Sequence, residues 1–352
     1  MDFGRDETPP PKVVLVTGAC RFLGGYLIAR LAQNSSIDRV IAVDAVTPSK
    51  DLKRRMGRAE FVRADIRNPF IAKVIRGNDV DTVVHASAAS YAPQSGGRAT
   101  LKELNVMGAM QLFAACQNAP TVRRVVLKST SEVYGSNQFD PVMFTEARGP
   151  RRPLRDGFGR DSTDIEGYVR GLGRRRQDIT VTILRLANLI GPAMDTALSR
   201  YLAGPVVPTV FGRDARLQLL HEQDALSALE RATLAARPGT FNIGARGIIM
   251  MSQAIRRSGR VSLPLPRAGV RALDSMLGGR GRDASNDSLD YMSFGRVMDT
   301  TRMRTELGFE PKWTTMEAFD DYVRGRGLTP IIDPRWVRSV ESRATALAQQ
   351  WG

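Results

Sequence analysis

Val13-Val14-Leu15-Val16-Thr17-Gly18-Ala19-Cys20-Arg21-Phe22-Leu23-Gly24-Gly25 opens the part of the chain that reads as folded. A β-branched run ends on a glycine-marked turn and passes directly into a segment of helical spacing. That order predicts a strand, a tight turn and a helix whose first N–H groups point out of the turn, which is a cradle for a pyrophosphate. Gly18, Arg21, Phe22, Leu23 and Gly24 are its candidate cofactor contacts. Asp44 closes the next strand, where a carboxylate can take the hydroxyls of an adenosine ribose. Because a carboxylate there repels a 2′-phosphate, NAD is expected in preference to NADP.

Outward from this unit, short apolar runs alternate with helix-period segments as far as about Arg185. The strands read as Val13 to Val16, Val40 to Val43, Glu60 to Val62, Thr82 to Val84, Arg124 to Leu127 and Thr180 to Leu184. Helices fall near Phe22 to Ala32, Leu101 to Gln117 and Ser162 to Arg176. Near-continuous apolar strands separated by helices indicate a parallel sheet covered on both faces. The expected fold class is therefore α/β, a Rossmann-type doubly wound parallel sheet with a smaller C-terminal substrate-binding lobe. The expected division is a disordered lead at 1–11, a dinucleotide-binding domain at 12–190 with elements returning from 205–245, an interleaved smaller lobe at 191–330, and a helical extension at 331–352. Ser258 to Asp290, rich in Gly and Arg, reads as a long loop, and Val337, Val340, Ala344 and Leu347 have helical spacing.

Composition narrows the function classes. Lys and Arg number 51 against 36 Asp and Glu, a formal net charge of +15, and only seven of the cations are Lys. The basic residues are scattered, and no nucleic-acid-reading motif accompanies the short runs Lys53-Arg54-Arg55, Arg174-Arg175-Arg176 and Arg256-Arg257. Solvated helix faces account for them, so neither nucleic acid nor membrane is expected as a partner. Cys20 and Cys116 provide neither a disulfide framework nor metal-ligand spacing. No secretory leader or membrane-length apolar run is read, and a reducing, cytoplasmic location is the expectation.

Several further segments carry a resemblance in a consistent order. Thr17-Gly18 to Gly24, Asp65-Ile66, His85-Ala86-Ser87-Ala88-Ala89 and Asn105-Val106-Met107-Gly108 lie in the first half. Phe241-Asn242-Ile243-Gly244 and Asp299 with Leu307-Gly308-Phe309-Glu310-Pro311 lie in the second. The chain to about Pro311 resembles the extended short-chain dehydrogenase/reductase family, of the NAD-dependent epimerase/dehydratase kind typified by UDP-glucose 4-epimerase. The resemblance implies cofactor contacts at Asp65, Ile66, His85, Ala86, Ser87, Asn105 and Ser129, a nucleotide-sugar or related small molecule as ligand, and a homodimer paired through the helices containing Leu101 to Gln117 and Ser162 to Arg176. It also marks a departure: Arg21 stands where the family has the middle glycine of its turn. Two readings remain open, a side chain that crowds the pyrophosphate or a guanidinium that pairs with a phosphate oxygen.

Ser129-Thr130-Ser131-Glu132-Val133-Tyr134-Gly135 looks like the version of the active-site strand found in nucleotide-sugar dehydratases and UDP-glucuronate decarboxylases. By that resemblance Thr130 and Glu132 are catalytic, and Ser131, Asn188 and Arg216 are substrate contacts, Arg216 being the nearest candidate for a diphosphate-binding arginine. In the family a Tyr phenolate takes a proton from a sugar hydroxyl, and a Lys four residues later lowers its pKa and holds the nicotinamide ribose. Counting back from the segment Ile183-Leu184-Arg185-Leu186-Ala187-Asn188 places Phe158 and Ser162 at those two positions. No slipped alignment restores the pair, since no lysine occurs between Lys128 and Lys312 and no tyrosine has Lys four residues on. Phe has no ionisable hydroxyl and Ser brings no cation, so the expectation is a family member with a degenerate catalytic set, or a silent dinucleotide or nucleotide-sugar binder acting as a sensor or scaffold. If chemistry remains, Glu132 and Thr130 carry it; His85 and His221 read as structural, and no metal is expected.

Overall fold

A computed structural model describes residues 9–88, 97–154, 156–276 and 286–331. In chain order its first half runs β1 (Val13–Thr17), α1 (Phe22–Gln33), β2 (Arg39–Asp44), α2 (Lys50–Arg55), β3 (Glu60–Arg63), α3 (Phe70–Gly77), β4 (Thr82–His85), α4 (Gly97–Lys102), a π-helical turn (Glu103–Met107), α5 (Gly108–Gln117), β5 (Arg124–Thr130), a 3-10 turn (Ser131–Tyr134), α6 (Phe158–Arg175) and β6 (Thr180–Leu186). The second half runs β7 (Asn188–Ile190), α7 (Ala197–Ala203), β8 (Val206–Val210), β9 (Arg216–Leu217), β10 (Leu219–His221), α8 (Glu222–Ala235), β11 (Gly239–Ile243), β12 (Ile249–Met250), α9 (Met251–Arg257), β13 (Val261–Leu265), α10 (Arg267–Met276), α11 (Asn286–Phe294), β14 (Gly295–Arg296), α12 (Thr301–Thr305) and α13 (Thr315–Gly325).

Seven strands form one sheet in the order β11-β6-β5-β4-β1-β2-β3, all pairs parallel. β1 lies between β2 on one side and β4 on the other, so the chain reverses its direction of travel across the sheet there. A crevice opens at such a switch point, beyond the carboxyl ends of the strands. The apolar residues of these strands divide between two clusters. One holds Val14, Val16, Leu27, Ile28, Leu226 and Leu229, and the other Leu15, Ile41, Ile75, Leu112, Ile165 and Val169. Side chains that alternate along buried strands feed both faces, which is why the runs read as continuously apolar. Each fully buried aliphatic side chain stabilises the fold by about 1.5–3 kcal/mol.

The second half builds three small sheets, β10-β7, β12-β9-β14 and β13-β8, over a third apolar cluster that includes Leu217, Ile255, Phe319 and Tyr322. His221 stacks on Trp313 with ring centroids 4.3 Å apart, and its Nε2 lies 3.2 Å from Asp321 of α13. That contact ties the last described helix to β10. The long loop expected over Ser258 to Asp290 is corrected: β13 pairs with β8, and α10 and α11 occupy most of the remainder. Paired backbone and amphipathic packing override the local Gly and Arg composition there. The expected lead falls largely on residues 1–8, and the extension with Val337, Val340, Ala344 and Leu347 on residues 332–352; both lie outside the described residues.

Beneath the carboxyl end of β5 lies a buried charge pair. Arg185 of β6 donates Nε and Nη2 to the two Glu166 carboxylate oxygens at 2.9 and 2.7 Å, and the glutamate side chain is 1% exposed. Ser129 donates its hydroxyl to Glu166 at 2.6 Å, and Arg170 adds a further bond at 2.7 Å. Arg185 Nη1 reaches the Tyr134 hydroxyl at 2.8 Å, which donates to Asn242 of β11 at 2.6 Å. Burial works against ionisation of Glu166, yet the bonds and charge of Arg185 hold its carboxyl below the usual range. The folded pKa is thus lower than the unfolded one, so the pair stabilises fully above about pH 4.3 and loses that contribution as the pH falls further. Glu166→Gln is expected to lower unfolding stability by about 3 kcal/mol near neutral pH, because it strands a buried guanidinium. Denaturant titration of both proteins checks this, and the difference should shrink below about pH 4.

Candidate active site

At the carboxyl ends of β1, β4, β5 and β6 a cavity of about 400 Å³ reaches from Arg21, Phe22 and Leu23 past Ala86, Ala88 and the end of β5 to Asn188 and Arg296. The cradle at its near end is held by backbone packing. Gly18 has φ +77°, and a Cβ there would stand 2.6 Å from the Ser87 Cα. A Cβ on Gly24 would stand 2.1 Å from the Gly18 carbonyl oxygen. Both glycines are therefore required for the turn to close, and the Gly18 and Ala19 N–H groups are spent on the Val43 carbonyl of β2. What the cradle offers an anion is the first turn of α1, which has no acidic side chain and whose N–H groups have no intrahelical acceptor.

Arg21 sits at the N-cap with φ −87° and ψ 154°, an extended conformation open to any L-residue. No glycine is needed there, and the arginine side chain faces the cavity. Asp44 accepts from the Cys20 N–H at 2.9 Å and the Val46 N–H at 3.1 Å, one bond per oxygen. Each oxygen keeps a further lone pair for a ribose hydroxyl. A dinucleotide thus fits these residues: the α1 terminus and Arg21 for the pyrophosphate, Asp44 for the adenosine ribose.

The other sequence candidates separate by position. Asp65 is engaged by the Arg67 side chain in an ion pair of 2.6 Å, which holds its carboxyl low, and Ile66 is buried against Gly108 of α5. His85 is fully buried, with Nδ1 2.9 Å from the Thr17 hydroxyl; burial, aided by the Lys128 charge, pushes its pKa down to about 3. It is neutral at any physiological pH. Ala86 lines the cavity, while Ser87 packs under Gly18 and Asn105 is buried 3.5 Å from Asp161. Asn188 lines the far wall together with Tyr291.

β5 extends to Thr130, three residues beyond the strand read from its apolar run, and its alternation decides which groups meet the cavity. Lys128 and Thr130 point one way, and the Ser129 hydroxyl turns the other way onto Glu166. Thr130 then caps the 3-10 turn by accepting from the Glu132 N–H at 3.2 Å. The turn packs on the start of α6: a Cβ on Gly159 would stand 2.5 Å from the Glu132 carbonyl oxygen, so only glycine lets the two approach. Phe158 lines the cavity and packs against the second apolar cluster, whereas Ser162 lies one turn below, 2% exposed, its hydroxyl without a partner among the described residues.

Three cavity residues escaped the sequence reading. Lys128 donates to the Ala88 carbonyl at 2.7 Å, and burial, together with the nearby Arg21 charge, pushes its pKa down to about 8 against the opposing pull of Glu132. Arg296 reaches the Ser131 hydroxyl at 3.3 Å and the Gly135 carbonyl at 2.7 Å, and Tyr291 stacks against its guanidinium. Recognising that β5 continues to Thr130 would have exposed Lys128 by its two-residue spacing. Arg296 and Tyr291 come from β14 and α11, and no local pattern announces them. Arg216, on β9, bonds the Val142 carbonyl and lines a separate cavity of about 300 Å³, which meets the first at Arg296. Its neighbour Leu217 faces the core instead, and alternation along the strand sends the two side chains apart.

Among the described residues no cluster of three or more His, Cys, Asp or Glu is placed to hold a metal ion, and no helix is long and apolar enough to cross a membrane.

Residues 14–244 match the model of the NAD dependent epimerase/dehydratase family. The chain is 76% identical over 343 residues to an uncharacterized Mycobacterium tuberculosis protein, covering 97% of this chain and 91% of that one. It is 26% identical over 259 residues to UDP-glucuronic acid decarboxylase 6 of Arabidopsis thaliana, covering 68% of this chain and 71% of that one. Among solved structures, UDP-glucose 4-epimerase of Thermotoga maritima with UDP-glucose superposes with a TM-score of 0.66 at 21% identity, covering 89% and 98% of the two chains. UDP-glucuronic acid 4-epimerase of Bacillus cereus in complex with NAD gives 0.67 at 20% identity, covering 90% and 98%. The matched span takes in the cradle, β5 with its 3-10 turn, α6 and β11, and the chain belongs to the NAD-dependent epimerase/dehydratase family.

Proposed function

We propose that this protein binds an NAD-type dinucleotide across β1 and β4 and a nucleotide-sugar beside Thr130, Glu132 and Asn188, with a reduced catalytic set. The observation that carries this reading is the continuity of one cavity from the anion-suited end of α1 to the Thr130–Glu132 turn and the β6–β7 wall. Relatives that bind NAD or act on UDP-sugars, such as the epimerases and the decarboxylase, support the ligand class. NAD would supply hydride chemistry at the β4–β5 side of the cradle when bound. The protein's own contribution is positioning: Arg21 and the α1 terminus on phosphate oxygens, Asp44 on a ribose, Asn188 and Arg296 on the far portion of the sugar nucleotide.

At the reacting end, the Phe158 ring can exclude water and pack a sugar face but cannot move a proton. Of the carboxylates that line the same cavity, Glu132, Asp195 and Asp287, Glu132 is the one next to Thr130, and we assign it the proton-transfer role in any turnover. The second reading, a binder without turnover, is favoured by Phe158 together with the buried, uncharged Ser162. Homodimerisation through α5 and α6, and a division into a dinucleotide-binding body and a smaller ligand-binding lobe, belong to the same proposal.

Denaturing the purified protein and identifying any released dinucleotide by mass, followed by calorimetric titration with NAD, is expected to show saturable binding. Absence of binding up to about 1 mM by NAD, NADH and ADP-ribose alike, a binding free energy weaker than about −4 kcal/mol for each, would leave only the fold in common with the family. Incubation with UDP-hexoses and UDP-uronates then separates the two readings by whether product forms. Where it does, Glu132→Gln is expected to lower kcat by about 10²- to 10⁴-fold with little effect on nucleotide binding, and an unchanged kcat would remove Glu132 from the mechanism.

A further inference from the structure

We propose that Lys128 makes the cavity selective for the oxidation state of the dinucleotide, favouring the reduced, uncharged nicotinamide over the oxidised, positively charged ring. The inference rests on the dinucleotide reading above and adds a property to it. Its starting point is the strand order. With the pyrophosphate at the end of β1 and the adenosine ribose at Asp44 on the β2 side, the other half of a dinucleotide must cross to the β4–β5 side. The side chain waiting there is Lys128, at the end of β5, fixed by its 2.7 Å bond to the Ala88 carbonyl just after β4.

Charge decides the consequence. Arg21 from the start of α1 and Glu132 from the turn after β5 lie near enough to act on Lys128, while Asp195, Arg200, Asp287 and Arg296 are the other charged groups of the cavity, all contributed by the second half of the chain. Glu132 is also shared with Arg296, which lowers what it can neutralise. His85, from β4, is held neutral and contributes no charge. An oxidised nicotinamide ring brings another positive charge into a partly desolvated space, where Coulomb repulsion is far stronger than in water. The reduced ring brings none. Of the three ammonium donors of Lys128, one is committed to Ala88 among the described residues, which leaves the group oriented but able to bond a carboxamide or ribose oxygen.

The selectivity should therefore titrate. With Lys128 protonated it is at full strength, and as the pH rises through about 8 the ammonium loses its proton and the oxidised form is readmitted. Arg21 also faces the cavity, so a smaller preference persists at high pH.

The experiment is calorimetric titration of the full chain with NADH, NAD and ADP-ribose between about pH 6.5 and 9.5, a range that brackets the lysine transition. ADP-ribose lacks the ring and reports the cradle alone. At the acid end NADH is expected to bind at least about tenfold more tightly than NAD, narrowing to about threefold at the alkaline end. Lys128→Met should bring the ratio close to the alkaline value at every pH. Lys128→Arg, which keeps the charge but does not titrate, should retain the preference and lose its pH dependence. Equal binding of NADH and NAD by the unaltered protein, with ADP-ribose bound, would overturn the proposal while leaving the dinucleotide reading in place. A preference that persists unchanged in Lys128→Met would also overturn it. Failure to bind ADP-ribose and both dinucleotides would remove the underlying reading itself.

Discussion

One buried carboxylate organises the reactive end of this molecule. Glu166 on α6 takes two bonds from Arg185 on β6 and one from Ser129 on β5, so a helix and two adjacent strands meet at a single charge pair. Through Tyr134 the same arginine reaches Asn242 on β11. An ion pair of this kind adds little net stability over a well-packed apolar core, but its bonds are directional and leave few alternative arrangements. The result is a fixed register between α6 and the turn after β5. The cavity wall formed by Thr130, Glu132 and Phe158 depends on that register.

The same register sets Phe158 and Ser162 against the turn after β5. Phe158 keeps the ring in the cavity wall, and Gly159 lets α6 approach the Glu132 carbonyl within van der Waals distance. Ser162 places a small uncharged hydroxyl under the wall, while a cation enters the cavity from β5 as Lys128 and another from the cradle as Arg21. Lys128 and Arg21 thus bring positive charge to the β4–β5 side of the cavity, while Arg200 and Arg296 line its far side.

Much of the fold was legible because its signals are local. Apolar runs fed by both faces of the sheet marked β1 to β6 to within a few residues, and the glycine pattern of the cradle reported close backbone approach. The loop expected between Ser258 and Asp290 failed for the opposite reason: β13 exists by pairing with β8, some 50 residues earlier in the chain, and composition carries no record of that pairing. Arg216 stands on a two-residue strand in the wall of the second cavity. A two-residue strand offers too little pattern to tell which of Arg216 and Leu217 faces inward.

The sequence by itself determined the parallel sheet and the glycine-marked turn at the end of β1, since each follows from residues adjacent along the chain, whereas Thr130 and Glu132 entered as candidates by resemblance. Only the tertiary structure decided the character of the cavity. It continued β5 past its apolar run so that Lys128 and Thr130 share a face, turned Ser129 into the core, and brought Arg296 and Tyr291 from the far end of the chain onto the same wall. Electrostatic environments depend on distances through space, and those distances are set by packing between elements whose sequences do not refer to one another.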